Sequence, residues 1–213
     1  MEQSRLEATF SKELINPTLD LAPDYAEMGL DALLSSDIAK DVPIVKTLIA
    51  IGKTSFAIRE RFFVKKVLVF LKEFHSDISD TEKAQAFRER IDTEPNFRHK
   101  VTEHLLVIID KLLDAEKSRI LARLFRAHIH QDLTWDQFVD LSVVLDSLQR
   151  EGQTFLNEIA VTGNFYYHGN ARPSEASLFA AGIATRHGSK FTVTELGQCL
   201  YKYGLLHPNN TGA

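Results

Sequence analysis

Three places in the sequence carry residue types at spacings that chemistry uses, and each falls short of a working set. Gly52-Lys53-Thr54 matches the end of a phosphate-binding loop. That chemistry needs a glycine five residues before Gly52, so that successive backbone N–H groups wrap the phosphates, and a strand leading in. Thr47 stands at that position, and the flanks read as helix. The eight histidines do not gather into a ligand set. His99 and His104 are five apart, which turns them away from each other on a helix, while His128 and His130 are two apart and face different sides. No His-Glu-x-x-His accompanies them. Cys199 lies between Leu196 and Leu200 beside Glu195, with no histidine or cation adjacent to activate it, and reads as a small buried hydrophobe. Neither a Gly-x-Ser-x-Gly elbow nor a Gly-rich dinucleotide loop is present. No catalytic residue, cofactor or metal ligand is assigned.

What the sequence does concentrate is positive charge. Residues 1 to 41 hold nine acids against three bases, whereas residues 42 to 72 hold seven bases against Glu60 alone, within a chain of net charge −4. Lys53, Arg59, Arg61, Lys65 and Lys66 are therefore the candidate partner-binding residues. On one exposed helical face they would meet an acidic protein surface, an anionic membrane or nucleic-acid phosphates. Pairing with the acidic segment that precedes them is the competing use of the same charges. A smaller pair, Arg186 and Lys190, is placed on a hairpin near the end of the chain as candidate wing contacts.

The elements that must position these residues fall into two grammars. Up to about residue 150 the pattern is helical, and Asp41-Val42-Pro43 reads as a helix start. Apolar residues recur at Ile44, Leu48, Ile51 and Phe56, then at Phe62, Phe63, Val67, Leu68 and Leu71. A helix over about 97 to 113 carries Phe97, Val101, Leu105, Ile108 and Leu112 on one stripe, widened by Leu106, Ile109 and Leu113, as at the centre of a bundle. Two helix starts echo each other, His75-x-Asp77-Ile78-Ser79-x-x-Glu82 and His130-x-Asp132-Leu133-Thr134-x-x-Gln137. In each, the hydroxyl and the acid or amide three residues on read as a capping box, and Leu133 is placed to staple against Phe138. The echo reads as punctuation between helices rather than as a duplication.

After Glu151-Gly152 the pattern changes to a short helix over 153 to 160, a strand from Asn164 to His168, and a loop through Pro173. A helix then leads into two short strands, Ile183 to His187 and Lys190 to Val193, around Gly188-Ser189. Thr194 caps a last helix, which Gly204 is expected to end. This is the order in which a winged-helix module finishes. As a DNA reader it is poorly equipped, because the helix before the hairpin carries Glu175 and neither lysine nor arginine.

Composition sets the outer bounds. With 213 residues, 44% of them hydrophobic, and fourteen phenylalanines, the chain can fill one sizeable core or two small ones. The lone cysteine excludes an intrachain disulfide and makes a reducing cytoplasm the expected compartment. The opening MEQSRLEATFSKEL lacks the apolar run of a signal peptide, and no membrane-spanning segment is expected.

Ile108-Ile109-Asp110-Lys111-Leu112, Ala122 to Ile129, Thr134-Trp135-Asp136-Gln137-Phe138 and Thr194-Glu195-Leu196-Gly197 together resemble a group of bacterial proteins related in style to the Abi-alpha proteins of phage defence. The resemblance implies a bacterial cytoplasmic protein with a helical body and a winged-helix-like end, acting in defence or stress, and transfers no site residue. The expected fold is mainly α: a helical bundle over residues 1–150 followed by a winged-helix-like α+β module over 151–213. The expected function is non-catalytic protein interaction, with a protein partner first, a membrane or nucleic acid as alternatives, and self-association also open. A DNA-binding regulator, or an enzyme whose site assembles from distant residues, are the competing readings.

Overall fold

Val67-Leu68-Val69-Phe70-Leu71 puts apolar groups on every side of a helix, and such a helix has to be enclosed. The computed structural model, which describes residues 2–15, 25, 27, 28, 32, 42–51, 58–76, 78 and 81–206, places it at the centre. The order of elements is α1 (Glu2–Ile15), α2 (Pro43–Ile51), α3 (Ile58–Ser76), α4 (Glu82–Thr93), α5 (Pro95–Lys111), α6 (Ala115–Ile129), α7 (Trp135–Ser147) and α8 (Arg150–Val161). Then follow β1 (Tyr166–His168), α9 (Glu175–Ala180), β2 (Ala184–His187), β3 (Lys190–Val193), α10 (Glu195–Leu200) and a π-helical turn (Tyr201–Leu205). The protein is thus mainly helical with a small antiparallel sheet near its end. No described helix is long and apolar enough to cross a membrane.

The helix α3 packs most extensively on α6, and their phenylalanines make the middle of the core. The Phe125 ring lies 5.6 Å from Phe74, 6.3 Å from Phe70 and 5.3 Å from Phe138, distances at which aromatic pairs attract beyond their area burial. The helices α1, α2, α4, α5 and α7 surround this pair, and one buried cluster runs from Phe10 to Leu200.

Local signals explain most boundaries. Pro43 and Pro95 open α2 and α5, where a missing N–H leaves no bond unmade. Thr134 and Gln137 form the expected capping box, and Leu133 and Phe138 are both buried beside it. At α4 the expected Ser79 lies outside the described residues; the cap is Thr81, whose hydroxyl accepts from the Ala84 N–H at 3.2 Å. The α5 stripe is buried at Val101, Leu105, Leu106, Ile108, Ile109 and Leu112. Leu113 departs from it and is 92% exposed, because the helix stops at Lys111 and Leu112 turns to φ −56°, ψ 128°.

The sheet has the order β1-β3-β2, with Tyr166–Thr192–Thr185 in one cross-strand row and His168–Lys190–His187 in the next row on the same face. Gly188 takes φ +60° at the hairpin turn, which favours glycine. The inner face carries Tyr167, Phe191 and Val193 and is covered by α8 and α9, with Phe155 and Phe179 each 5.7 Å from Phe191. No described element covers the outer face.

Candidate functional site

The basic stretch divides according to where its helix faces. Lys66 is only 5% exposed, and its ammonium donates to the carbonyls of Asp110 and Leu112, both at 2.7 Å. Those are carbonyls at the end of α5 that have no partner within the helix, and the cation both satisfies them and meets the negative end of the helix dipole. Burial holds its pKa below the ordinary lysine value. A partner cannot reach it, which corrects the expectation that Lys66 shares an exposed face with its neighbours. Lys65 is half-buried and donates to the Met28 carbonyl at 2.7 Å. Arg59 is exposed and forms an ion pair with Asp110, while Arg61 is half-buried and also engaged. Lys53 lies outside the described residues, as does Gly52-Lys53-Thr54 as a whole.

Of the expected wing contacts, Arg186 is also turned inward. Its guanidinium grips Glu175, Nε to Oε2 at 2.8 Å and Nη2 to Oε1 at 2.6 Å, and donates to the Gly169 carbonyl at 3.0 Å. The Tyr167 hydroxyl and the Arg172 N–H donate to the same carboxylate. This is a fully satisfied buried cluster that ties β1, α9 and β2 together. Hydrogen bonding to Arg186 pulls the Glu175 carboxyl down to about 2, so it stays ionised and is a poor proton acceptor near neutrality. Glu175 is therefore not a deficient contact on a reading helix but the anchor of the module. The exposed residues of α9, Ala176, Phe179 and Ala180, offer no side-chain donor to a base edge. Lys190 remains exposed on the outer sheet face, over the Tyr166 ring at 4.9 Å.

Other titratable groups are built into the body. His104 and His128 both set their rings against Trp135 at 5.4 Å, and burial lowers the pKa of each. His99 instead meets the Glu7 carboxylate at 2.8 Å, beside a cavity of about 310 Å³ between α1 and α5, and its pKa is raised. Among the described residues no group of His, Cys, Asp and Glu is arranged to hold a metal ion.

Two departures from regular backbone converge on one groove, and neither was legible in the sequence. Phe165 holds φ at +52°, a conformation that costs a bulky residue of order 1 kcal/mol or more. Its carbonyl accepts from the Val193 N–H at 2.8 Å, and its ring meets Tyr201 edge-on at 5.6 Å. Tyr201 opens the π-helical turn, closed by the Leu206 N–H on the Tyr201 carbonyl at 2.8 Å. The expectation that Gly204 ends the last helix is corrected here. It sits inside the widened turn against α6, so close that a Cβ would fall 2.8 Å from Ile120 Cγ2. The Arg123 guanidinium donates to the Gly204 carbonyl at 3.3 Å and to Glu73 of α3 at 2.7 Å, fixing the turn to the helical core.

The result is a groove of about 480 Å³ lined by Phe165, Cys199, Tyr201, Tyr203 and Leu206, with Glu195, Gln198 and Lys202 around it. Cys199, expected to be buried, is half-exposed along its wall. π-Turns and strained residues concentrate at functional sites, and tyrosine-lined apolar concavities are what anchoring side chains of a partner fill. No protein-family model, curated protein or solved structure matches the chain.

Proposed function

We propose that this protein is a non-catalytic protein-interaction module whose docking site is the groove of Phe165, Tyr201, Tyr203 and Leu206. The observation that carries this reading is the pairing of a strained Phe165 with the π-helical turn in a single apolar concavity fixed to the core. Following the resemblance described above, its setting is the bacterial cytoplasm, in defence or stress. The basic helices are not the docking surface in this reading, since Lys66 is buried and Arg59 and Lys65 already serve Asp110 and Met28. A DNA-reading role through α9 lacks support for want of donors on its exposed side.

The test places a charge in the groove. Leu206→Glu, at an exposed position, should leave thermal stability unchanged and abolish capture of any partner that the wild-type protein retains from the lysate of its source cells. The variant Arg59→Gln should retain that partner. Equal capture by the wild type and Leu206→Glu would remove the groove from the account, and loss through Arg59→Gln would return it to the basic helices. Sedimentation velocity on the same proteins shows whether the captured partner is a second copy of the chain.

A further inference from the structure

We propose that the outer face of the three-stranded sheet is a binding platform for single-stranded nucleic acid, a surface separate from the groove. Its residues are Tyr166, His168, Thr185, His187, Lys190 and Thr192. The pairing places His168, Lys190 and His187 side by side across β1, β3 and β2, a row about 10 Å wide at ordinary strand spacing. The adjacent row is Tyr166, Thr192 and Thr185. Tyr166 is 42% exposed, and its ring and that of His168 meet in a T-shaped, edge-to-face contact at a centroid distance of 6.0 Å.

Charge distinguishes this face from the rest of an acidic molecule. Between Thr162 and Thr194 the sequence has one carboxylate, Glu175, and it is buried on the opposite side of the sheet in the grip of Arg186. The outer face therefore carries an ammonium and two imidazoles with no acid among them. Among the described residues His168, His187 and Lys190 have no ion-pair partner; the contacts of Lys190 and His168 are with the Tyr166 ring. Among the described residues the titratable groups on the face are these three and Tyr166, and no described element packs over it to add others.

The composition favours unpaired bases over other anions. Three flat rings on a shallow surface, with hydroxyls beside them, are what exposed bases stack on and hydrogen-bond to. Duplex DNA hides its base faces and would need a donor-bearing helix or ribbon in a groove, which α9 does not supply. One permanent cation is too few to hold an anionic membrane, which takes a cluster.

Fluorescence anisotropy of the full chain with a labelled mixed-sequence single-stranded RNA of about 12 nucleotides tests the proposal, with its duplex and phosphatidylglycerol vesicles as comparisons. Single strands should bind in a salt-dependent way, about 10-fold or more tightly than duplex. Tyr166→Ala should weaken binding about 10-fold, and Lys190→Gln should flatten the salt dependence. Replacing His168 and His187 together by Asn should weaken binding further, since two stacking rings are lost. These positions are exposed, so thermal melts should match the wild type. Leu206→Glu should bind RNA normally, which separates this surface from the groove. The proposal falls if single strands do not bind, if duplex or vesicles bind as well or better, or if Tyr166→Ala and Lys190→Gln bind like the wild type.

Discussion

The cations of α3 and those of the sheet look alike in sequence and are used in opposite ways. In α3 the charges are taken up by other groups of the protein: Lys66, buried, by the end of α5, Lys65 by the Met28 carbonyl, and Arg59, at the surface, by Asp110. On the sheet, Arg186 takes the inward place against Glu175, and that leaves Lys190 and its flanking histidines facing solvent without a counter-charge among the described residues. The denser cluster of charge is thus the less available one. A helix enclosed on nearly all sides must bend its lysines toward whatever acceptors the neighbouring helices leave unpaired. A sheet covered on one face has a second face on which charge can stay free.

Removing the anchors of each region is the most direct way to break this contrast. Glu175→Ala should cost about 3 to 5 kcal/mol, since it strands the Arg186 guanidinium in a nearly closed site; urea denaturation followed by circular dichroism measures it. A loss below about 1 kcal/mol would mean that Arg186 can swing out, and the module would then gain a free wing cation. Lys66→Met should cost about 2 kcal/mol by the same measurement, because two buried carbonyls lose a charged donor. If instead this variant is as stable as the wild type, the lysine was available to partners after all.

Acid should sharpen the comparison next. His75, His104 and His128 have pKa values lowered chiefly by burial, so the unfolded chain takes up protons before the folded one as pH falls below the ordinary histidine value of 6.5. Stability from these groups is complete above about pH 6.5 and declines below it, toward their folded values. His99, raised by Glu7, acts in the opposite sense but from an exposed site. The contribution of Glu175 is complete above its ordinary value of 4.5 and is lost only as pH falls toward about 2. Urea midpoints between about pH 8 and pH 5 should therefore fall in the body while the Glu175 cluster holds, and a flat profile would contradict the burial of the three imidazoles. The smallest effect belongs to Arg59→Gln, whose exposed, solvent-screened ion pair should leave the urea midpoint at neutral pH close to that of the wild type.

The helices, the capping box at Thr134, the hairpin around Gly188 and the order of elements at the chain's end were legible because each rests on residues a few positions apart. The α5 stripe was readable for the same reason, and it failed at Leu113, where the helix had already ended. The candidate site was far less legible. Phe165 gave no sign of a positive φ, and Gly204 looked like a helix stop because glycine at a helix end and glycine in a close contact are written the same way.

By itself, then, the sequence determined the helical body, the small α+β end and the imbalance of charge along the chain, all properties carried by neighbouring residues. The tertiary structure alone decided which charges are free. Lys66 finds its acceptors more than forty residues away, Arg123 joins Glu73 to Gly204, and Arg186 meets Glu175 only once the sheet has closed over α9. Such choices follow from burial, which requires each enclosed charge to find a partner wherever the fold brings one, and sequence spacing carries no record of that distance.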